Sequence, residues 1–210
     1  METLRQAVGE ESIAKAAELL TAGQLVAFPT ETVYGLGARA DDAAAVRRIY
    51  SVKGRPIDKA LSVLVPDVAI ARTAAAHWPA SAERLARAFW PGPLTLVVRR
   101  AGLVVDEVVA SGATVALRVP SHPAALDLLR RCAFPVAAPS ANLSGQPPAT
   151  SADEVMAGFA GRIPLVLDGG STEARTASTV VDLTRSKGRG VILRPGVIPA
   201  EALQEHVALS

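Results

Sequence analysis

Leu25-Val26-Ala27-Phe28-Pro29-Thr30-Glu31-Thr32-Val33-Tyr34-Gly35-Leu36-Gly37 is the stretch on which the fold turns. Leu25–Phe28 is a short apolar run, as expected of a buried strand. Pro29 has no N–H to donate, so it ends the pairing ladder. Thr30, Glu31, Thr32 and Tyr34 then place three hydroxyls and a carboxylate on the loop that follows. Gly35 and Gly37 allow that backbone to turn tightly or to lie close to a neighbour. A polar, glycine-containing loop at the end of a buried strand is where open α/β sheets bind ligands. Taken alone, the loop reads as a phosphate cradle.

Composition bounds what surrounds this stretch. The 210 residues suffice for one large domain or two small ones. Half are hydrophobic but only 4% are aromatic, so the core is built mostly of Ala, Val and Leu. The formal net charge is +2 and the lysines are only Lys15, Lys53, Lys59 and Lys187, so the basic side is carried by arginine. Arginine suits planar recognition of phosphates and carboxylates, although most arginines are ordinary solvated surface. No charge run marks a nucleic-acid tail. Cys132 is the single cysteine, which excludes an intramolecular disulfide and a Cys-based zinc site. His77, His122 and His206 are scattered and form no metal motif. Met1–Arg5 lacks the apolar core of a signal peptide. No apolar run is long enough to span a bilayer, so a soluble, cytoplasmic protein without membrane partners is expected.

Along the chain, helices are expected at about 11–22, ended by Gly23; from Asp41 or Asp42 to Lys53; from Asp67 or Ser81 to Phe89-Trp90; over 123–132; after the Ser151–Glu154 capping box; and at 200–206. Strands are expected at 25–28, 61–65, 94–98, 114–119, 135–138, 165–167, 179–183 and 191–193. Strands and helices alternate early and strands dominate later. That predicts an α/β fold, one domain over residues 1–210, with a twisted mixed β-sheet flanked by helices. The Gly/Pro-rich 139–150 segment is the expected mobile loop.

Three segments hold chemistry. Lys53-Gly54-Arg55-Pro56-Ile57-Asp58-Lys59 places three cations in seven residues. Helix capping explains Lys53 with Gly54 as the C′ residue, but leaves Arg55 and Lys59 beyond the helix. The other reading is a polyphosphate clamp, lysine giving point charge and arginine a fork of donors. Ser140-Ala141-Asn142-Leu143-Ser144-Gly145 offers two hydroxyls and an amide, either as a self-contained Asx or Ser turn or as groups around a phosphate or nucleobase. It is not a Gly-x-Ser-x-Gly elbow, so a serine nucleophile is not expected. Thr114-Val115-Ala116-Leu117-Arg118-Val119-Pro120 puts Thr114, Ala116 and Arg118 on one strand face. An arginine on an apolar strand needs a partner, and a ligand carboxylate and a structural Asp or Glu fit equally. Arg194, in Leu193-Arg194-Pro195-Gly196, raises the same question. Ser178 and Thr179 are site hydroxyls or simply strand residues. Neither Gly-x-x-x-x-Gly-Lys-Ser/Thr nor Gly-x-Gly-x-x-Gly occurs.

Taken together and in order, Phe28–Gly37, Lys53-Gly54-Arg55-Pro56, Leu117-Arg118-Val119-Pro120, Ala138–Gly145, Ser178-Thr179-Val180-Val181-Asp182 and Leu193–Gly196 strongly resemble the YrdC/TsaC-like family of threonylcarbamoyl-AMP synthases. The resemblance runs from about Gly23 to Gly196. It implies a YrdC-like domain with a concave basic cleft, in which L-threonine, bicarbonate and ATP give L-threonylcarbamoyladenylate and pyrophosphate. It implies Mg²⁺ carried with ATP, and downstream threonylcarbamoyl-transferase proteins that modify an adenosine of tRNA. By the resemblance, Lys53, Arg55 and Lys59 face the ATP phosphates. Thr114, Ala138, Ser140, Asn142 and Arg194 complete the ATP site, and Thr32, Arg118 and Ser178 hold threonine. Lys53 and Arg55 serve by charge neutralisation, with no general base.

The end at Ser210, Lys59 and Leu64 point to the short branch of the family, and Pro148 replaces a frequent serine. One rival is a non-catalytic RNA- or ribosome-binding paralogue. Another, carbamoyl transfer in hydrogenase maturation, calls for Cys-x-x-Cys elements that one cysteine cannot supply.

Overall fold

A computed structural model describes residues 2–186 and 188–210. The strands are β1 (Leu4–Ala7), β2 (Val26–Phe28), β3 (Gly35–Arg39), β4 (Ser62–Leu64), β5 (Leu94–Arg99), β6 (Thr114–Arg118), β7 (Val136–Ala137), β8 (Leu165–Asp168), β9 (Thr179–Ser186) and β10 (Arg189–Arg194). The helices are α1 (Glu10–Thr21), α2 (Ala43–Lys53), α3 (Val68–Thr73), α4 (Ala80–Phe89), α5 (Pro123–Arg131), α6 (Ala152–Phe159) and α7 (Ala200–Gln204). The strands form one mixed sheet in the order β1-β8-β2-β3-β7-β4-β6-β5-β9-β10. Pairs β4–β6 and β2–β8 are parallel, whereas β2–β3, β3–β7 and β5–β6 are antiparallel.

Apolar residues alternate across the sheet, so both faces are covered. On β2, Ala27 joins a core with the apolar sides of α2, α4 and α6, through residues such as Ile49, Leu85 and Phe159. Its neighbours Val26 and Phe28 join the opposite core with Leu20 of α1 and Leu128 of α5. Burying a Leu or Phe side chain in this way contributes roughly 1.5–3 kcal/mol each. Local signals set the helix ends. The Asp42 carboxylate accepts from the N–H groups of Ala44 and Ala45 to open α2, and Gly54 closes it with φ +60°. Asp67 caps α3 in the same manner, accepting from Ile70.

Several expectations change in detail. β1 was not expected: Leu-Arg-Gln-Ala shows no alternation, and its place comes from parallel pairing with distant β8. Gly35–Arg39 was expected as loop but is β3, so the two glycines are strand residues rather than turn residues. Their value is close approach. A Cβ at Gly37 would lie 2.8 Å from Phe28 Cε1 and 3.1 Å from Val136 Cγ1. Helix α4 opens at Ala80 behind Pro79, not at Ser81. Ser151 accepts from Glu154 N–H as expected, but the Glu154 carboxylate takes the N–H of Thr150 instead of the cap residue's own. Among the described residues no helix is long and apolar enough to cross a membrane.

Candidate functional site

A cleft of about 190 Å³ lies where the opening loop crosses the sheet. Thr30, Thr32, Val33, Tyr34 and Gly35 line it from the opening loop and the start of β3, Ser62, Leu64 and Arg118 from β4 and β6, and Ala138, Pro139 and Ser140 from the segment after β7. Thr95 of β5, Ala177, Ser178 and Arg194 also line it, as do Arg55, Ala60 and Pro148. The site therefore sits over β4, β5 and β6 as well as at the end of β2.

The opening loop is built on itself. Thr30 Oγ1 donates to the Val33 carbonyl at 2.6 Å and accepts from the N–H groups of Thr32 and Val33. Its hydroxyl lies 2.9 Å from that of Thr32. Tyr34 N–H donates to the Ala149 carbonyl, and the Tyr34 hydroxyl bonds Gly169 and Gly170, which fastens the loop to two further segments. Burial pushes the Tyr34 phenol above its ordinary value.

Arg118 ends β6 and points into this loop. Its Nη2 donates to Glu31 Oε1 at 2.7 Å and to Thr32 Oγ1 at 2.9 Å, and its Nε donates to the Gly92 carbonyl at 3.2 Å. The arginine and glutamate side chains are only 8% and 10% exposed. Of the two partners left open by the sequence, the structure thus supplies a carboxylate from the chain itself. Both hydrogens of Nη2 and the Nε hydrogen are taken, and Nη1 is the nitrogen without a bonded acceptor. A side-on or end-on fork to an incoming carboxylate would displace Glu31, Thr32 or Gly92, so the available contact is through Nη1.

Arg194, at the end of β10, donates from Nε and Nη2 to the Ser178 carbonyl and from Nη2 to Ser178 Oγ at 3.0 Å. Burial, and secondarily the charge of Arg118, lowers the Arg194 guanidinium below its ordinary value. Ser178 Oγ also lies 2.8 Å from Thr95 Oγ1. Thr95 was missed in the sequence: a lone threonine in an apolar strand carries no signal beyond strand propensity. Glu31 was singled out, but its partner lies 87 residues away.

The Lys53–Lys59 segment behaves differently from its sequence. Lys53 is 3% exposed and does not line the cleft. Its ammonium donates to the Ser140 carbonyl at 2.6 Å and to that of Asn142. Burial, with Arg55 as the second cause, lowers it to about 8. Arg55 lines the cleft, and its guanidinium is tied to the carbonyls of Lys59 and Ala60. Lys59 is exposed and outside the lining. Asn142 holds its own turn, donating to the carbonyls of Leu143 and Gln146 and accepting from Ser140 Oγ. The 139–150 segment, expected to be mobile, is stitched down by Leu36 to Pro139, Ala141 to Tyr34 and Ser144 to Lys53 backbone bonds.

Of the residues singled out in the sequence, Thr32, Arg55, Arg118, Ala138, Ser140, Ser178 and Arg194 meet in the cleft. Lys53, Lys59, Thr114 and Asn142 are outside its lining. Thr114 pairs with Arg99, at the opposite end of β6 from Arg118. Three guanidiniums and several hydroxyls make a donor set suited to anions, with Thr32, Thr95 and Ser178 beside the arginine pair.

The Sua5–YciO–YrdC family model, described as "Telomere recombination", matches residues 18–196. The threonylcarbamoyl-AMP synthase of Pyrococcus abyssi is 45% identical over 204 residues, covering 97% of this chain and 59% of that protein. The threonylcarbamoyl-AMP synthase of Bacillus subtilis is 44% identical, with 93% and 56% covered. The chain thus spans under three fifths of the length of these two relatives. A putative threonylcarbamoyl-AMP synthase of Mycobacterium tuberculosis is 41% identical, with 92% and 88% covered. Among solved structures, P. abyssi Sua5 complexed with L-threonine matches with a TM-score of 0.92 at 43% identity, covering 100% of this chain and 62% of that one. E. coli YciO, at 23% identity and a TM-score of 0.82, shares the fold.

Proposed function

The chain belongs to the Sua5–YciO–YrdC family, and on that premise we propose that it makes L-threonylcarbamoyladenylate and pyrophosphate from L-threonine, bicarbonate and ATP. The observation that carries the reading is the convergence of Thr32, Arg118 and Ser178, with Arg194 beside them, in a chain 43% identical to a Sua5 complexed with L-threonine. In this reading Arg118 Nη1 takes the amino-acid carboxylate, and Thr32 and Ser178 bound the side-chain hydroxyl. Arg55, Ser140, Ala138 and Arg194 face the nucleotide. Lys53 acts one step removed, by holding the backbone of Ser140 and Asn142 in place.

The threonine amine adds to the carbon of bicarbonate, which loses water, to give a carbamate; a carbamate oxygen then attacks the α-phosphorus of ATP, and the bond from that phosphorus to the bridging oxygen breaks to release pyrophosphate. Such a displacement requires in-line positioning and neutralisation of negative charge, and needs no protein nucleophile. The cleft arginines meet that demand. Mg²⁺ would arrive on the ATP phosphates, since the cleft's own donors favour anions. The adenylate would then pass to threonylcarbamoyl-transferase proteins acting on tRNA.

The test is pyrophosphate release by the purified protein with ATP, bicarbonate and Mg²⁺. Release that depends on L-threonine is expected. Release no greater than in a control lacking threonine would refute the reading.

A further inference from the structure

Glu31 has no part in the reaction as described, yet it is a buried acidic side chain in direct contact with a cleft arginine. Its side chain is nine-tenths buried. One carboxylate oxygen bonds Arg118 Nη2 at 2.7 Å, while the other, Oε2, is buried with no hydrogen-bond partner. A carboxylate retained only for stability would be expected to satisfy both oxygens, because an unpaired buried acceptor is costly. What this one does is fix an arginine. With Thr32 it occupies both hydrogens of Nη2, and Gly92 occupies Nε, so the planar guanidinium is pinned along one edge and presents Nη1 as the remaining donor.

We propose that Glu31 is a positioning residue that clamps Arg118 and so sets the affinity and orientation of the amino-acid substrate. The inference rests on the reading in which Arg118 takes the carboxylate of L-threonine. Two physical reasons support it. First, of the three acceptors that hold the guanidinium, Glu31 is the only charged one, so its bond alone adds the attraction of opposite charges to the hydrogen bond. Without it, the Thr32 hydroxyl and the Gly92 carbonyl remain, and neither resists rotation of a long side chain as firmly. Second, the Arg118 side chain is only 8% exposed, where an uncompensated charge would be expensive. Glu31 neutralises it before any substrate arrives, so that Arg118 can wait in the bound geometry instead of turning toward water. Preorganisation of this kind raises affinity by removing the cost of ordering at the moment of binding.

The Glu31 effect should therefore be routed through Arg118, which a double-mutant cycle reads directly. KM for L-threonine, KM for ATP and kcat are measured by pyrophosphate release for the full chain and for Glu31→Ala, Glu31→Gln, Arg118→Ala and the two double variants. Glu31→Ala is expected to raise the threonine KM by about tenfold or more, on the scale of a lost charge-assisted contact, and to move the ATP KM less than about twofold. Glu31→Gln keeps the shape and one acceptor and should fall between wild type and Glu31→Ala. Adding either change to Arg118→Ala should make threonine binding no worse. Strictly additive effects on the threonine KM, or equal changes in both KM values, would overturn the proposal. If Glu31→Ala does not fold, the cycle through Glu31→Gln decides by the same criteria. A wild-type protein without threonine-dependent pyrophosphate release would overturn the activity reading and this inference with it. An active wild type with additive variants would overturn the inference alone.

Discussion

The arginines that line the cleft are held on opposite plans. Arg118 and Arg194 come from strand ends far apart in sequence, and each is locked by several bonds to residues of other segments. Arg55 and Lys59 come from one loop. Arg55 is tied only to carbonyls of that loop, Lys59 is exposed, and Lys53 has turned its charge away to brace a neighbouring turn. Cations adjacent in sequence are thus dispersed in position, whereas Arg118 and Arg194 are brought into one cleft by the sheet. In the proposed reading the rigid end, at Arg118, holds a small ligand in one pose. The loose end is suited to a flexible polyphosphate that brings its own counter-ion.

The comparison can be broken by substitution at each end. Arg118→Ala should produce the largest effect, raising the threonine KM by roughly tenfold to a hundredfold, the scale of a charged hydrogen bond worth on the order of 1.5–3 kcal/mol. Its ATP KM should move little. Arg55→Ala should do the reverse and more mildly. Because Arg55 is less buried and held by neutral groups, its ATP effect should also shrink as salt is raised. Equal effects of either variant on both substrates would erase the division.

Lys53 sharpens the comparison through pH. Its folded-state value of about 8 lies below its ordinary 10.5. Folding therefore disfavours the proton, and the charged form costs stability at pH below about 8. That cost fades as pH rises from about 8 toward 10.5. Lys53→Met removes the titration but leaves the Ser140 and Asn142 carbonyls without their donor. Denaturant midpoints of both proteins at about pH 7 and about pH 10 should show wild type gaining stability relative to the variant at the higher pH. A constant difference would mean that Lys53 does not carry the depressed value.

Much of the frame was readable in the sequence because it is encoded locally. Asp42 and Gly54 mark the ends of α2 by cap chemistry, and the apolar runs of β4, β5 and β8 need no long-range information. What could not be read is non-local. β1 exists through pairing with β8, and β3 is a strand because Gly37 lets it approach Phe28 and Val136. The site shows the same division. Thr32, Arg118, Ser178 and Arg194 were nameable from their motifs and meet as a group. Their arrangement was not, since the Glu31–Arg118 and Thr95–Ser178 contacts span 87 and 83 residues. The residues around Asn142 read either as a self-contained turn or as ligand groups, and the resemblance then assigned Asn142 to the nucleotide; its side chain is engaged by its own turn.

The rigid end should recognise the amino acid by itself, before any nucleotide chemistry. Calorimetric titration of L-threonine into the wild-type, Arg55→Ala and Arg118→Ala proteins, without ATP, tests that claim most directly. Saturable binding in wild type, kept in Arg55→Ala and lost or weakened at least about tenfold in Arg118→Ala, is the predicted result. Indistinguishable titrations of all three proteins would contradict it.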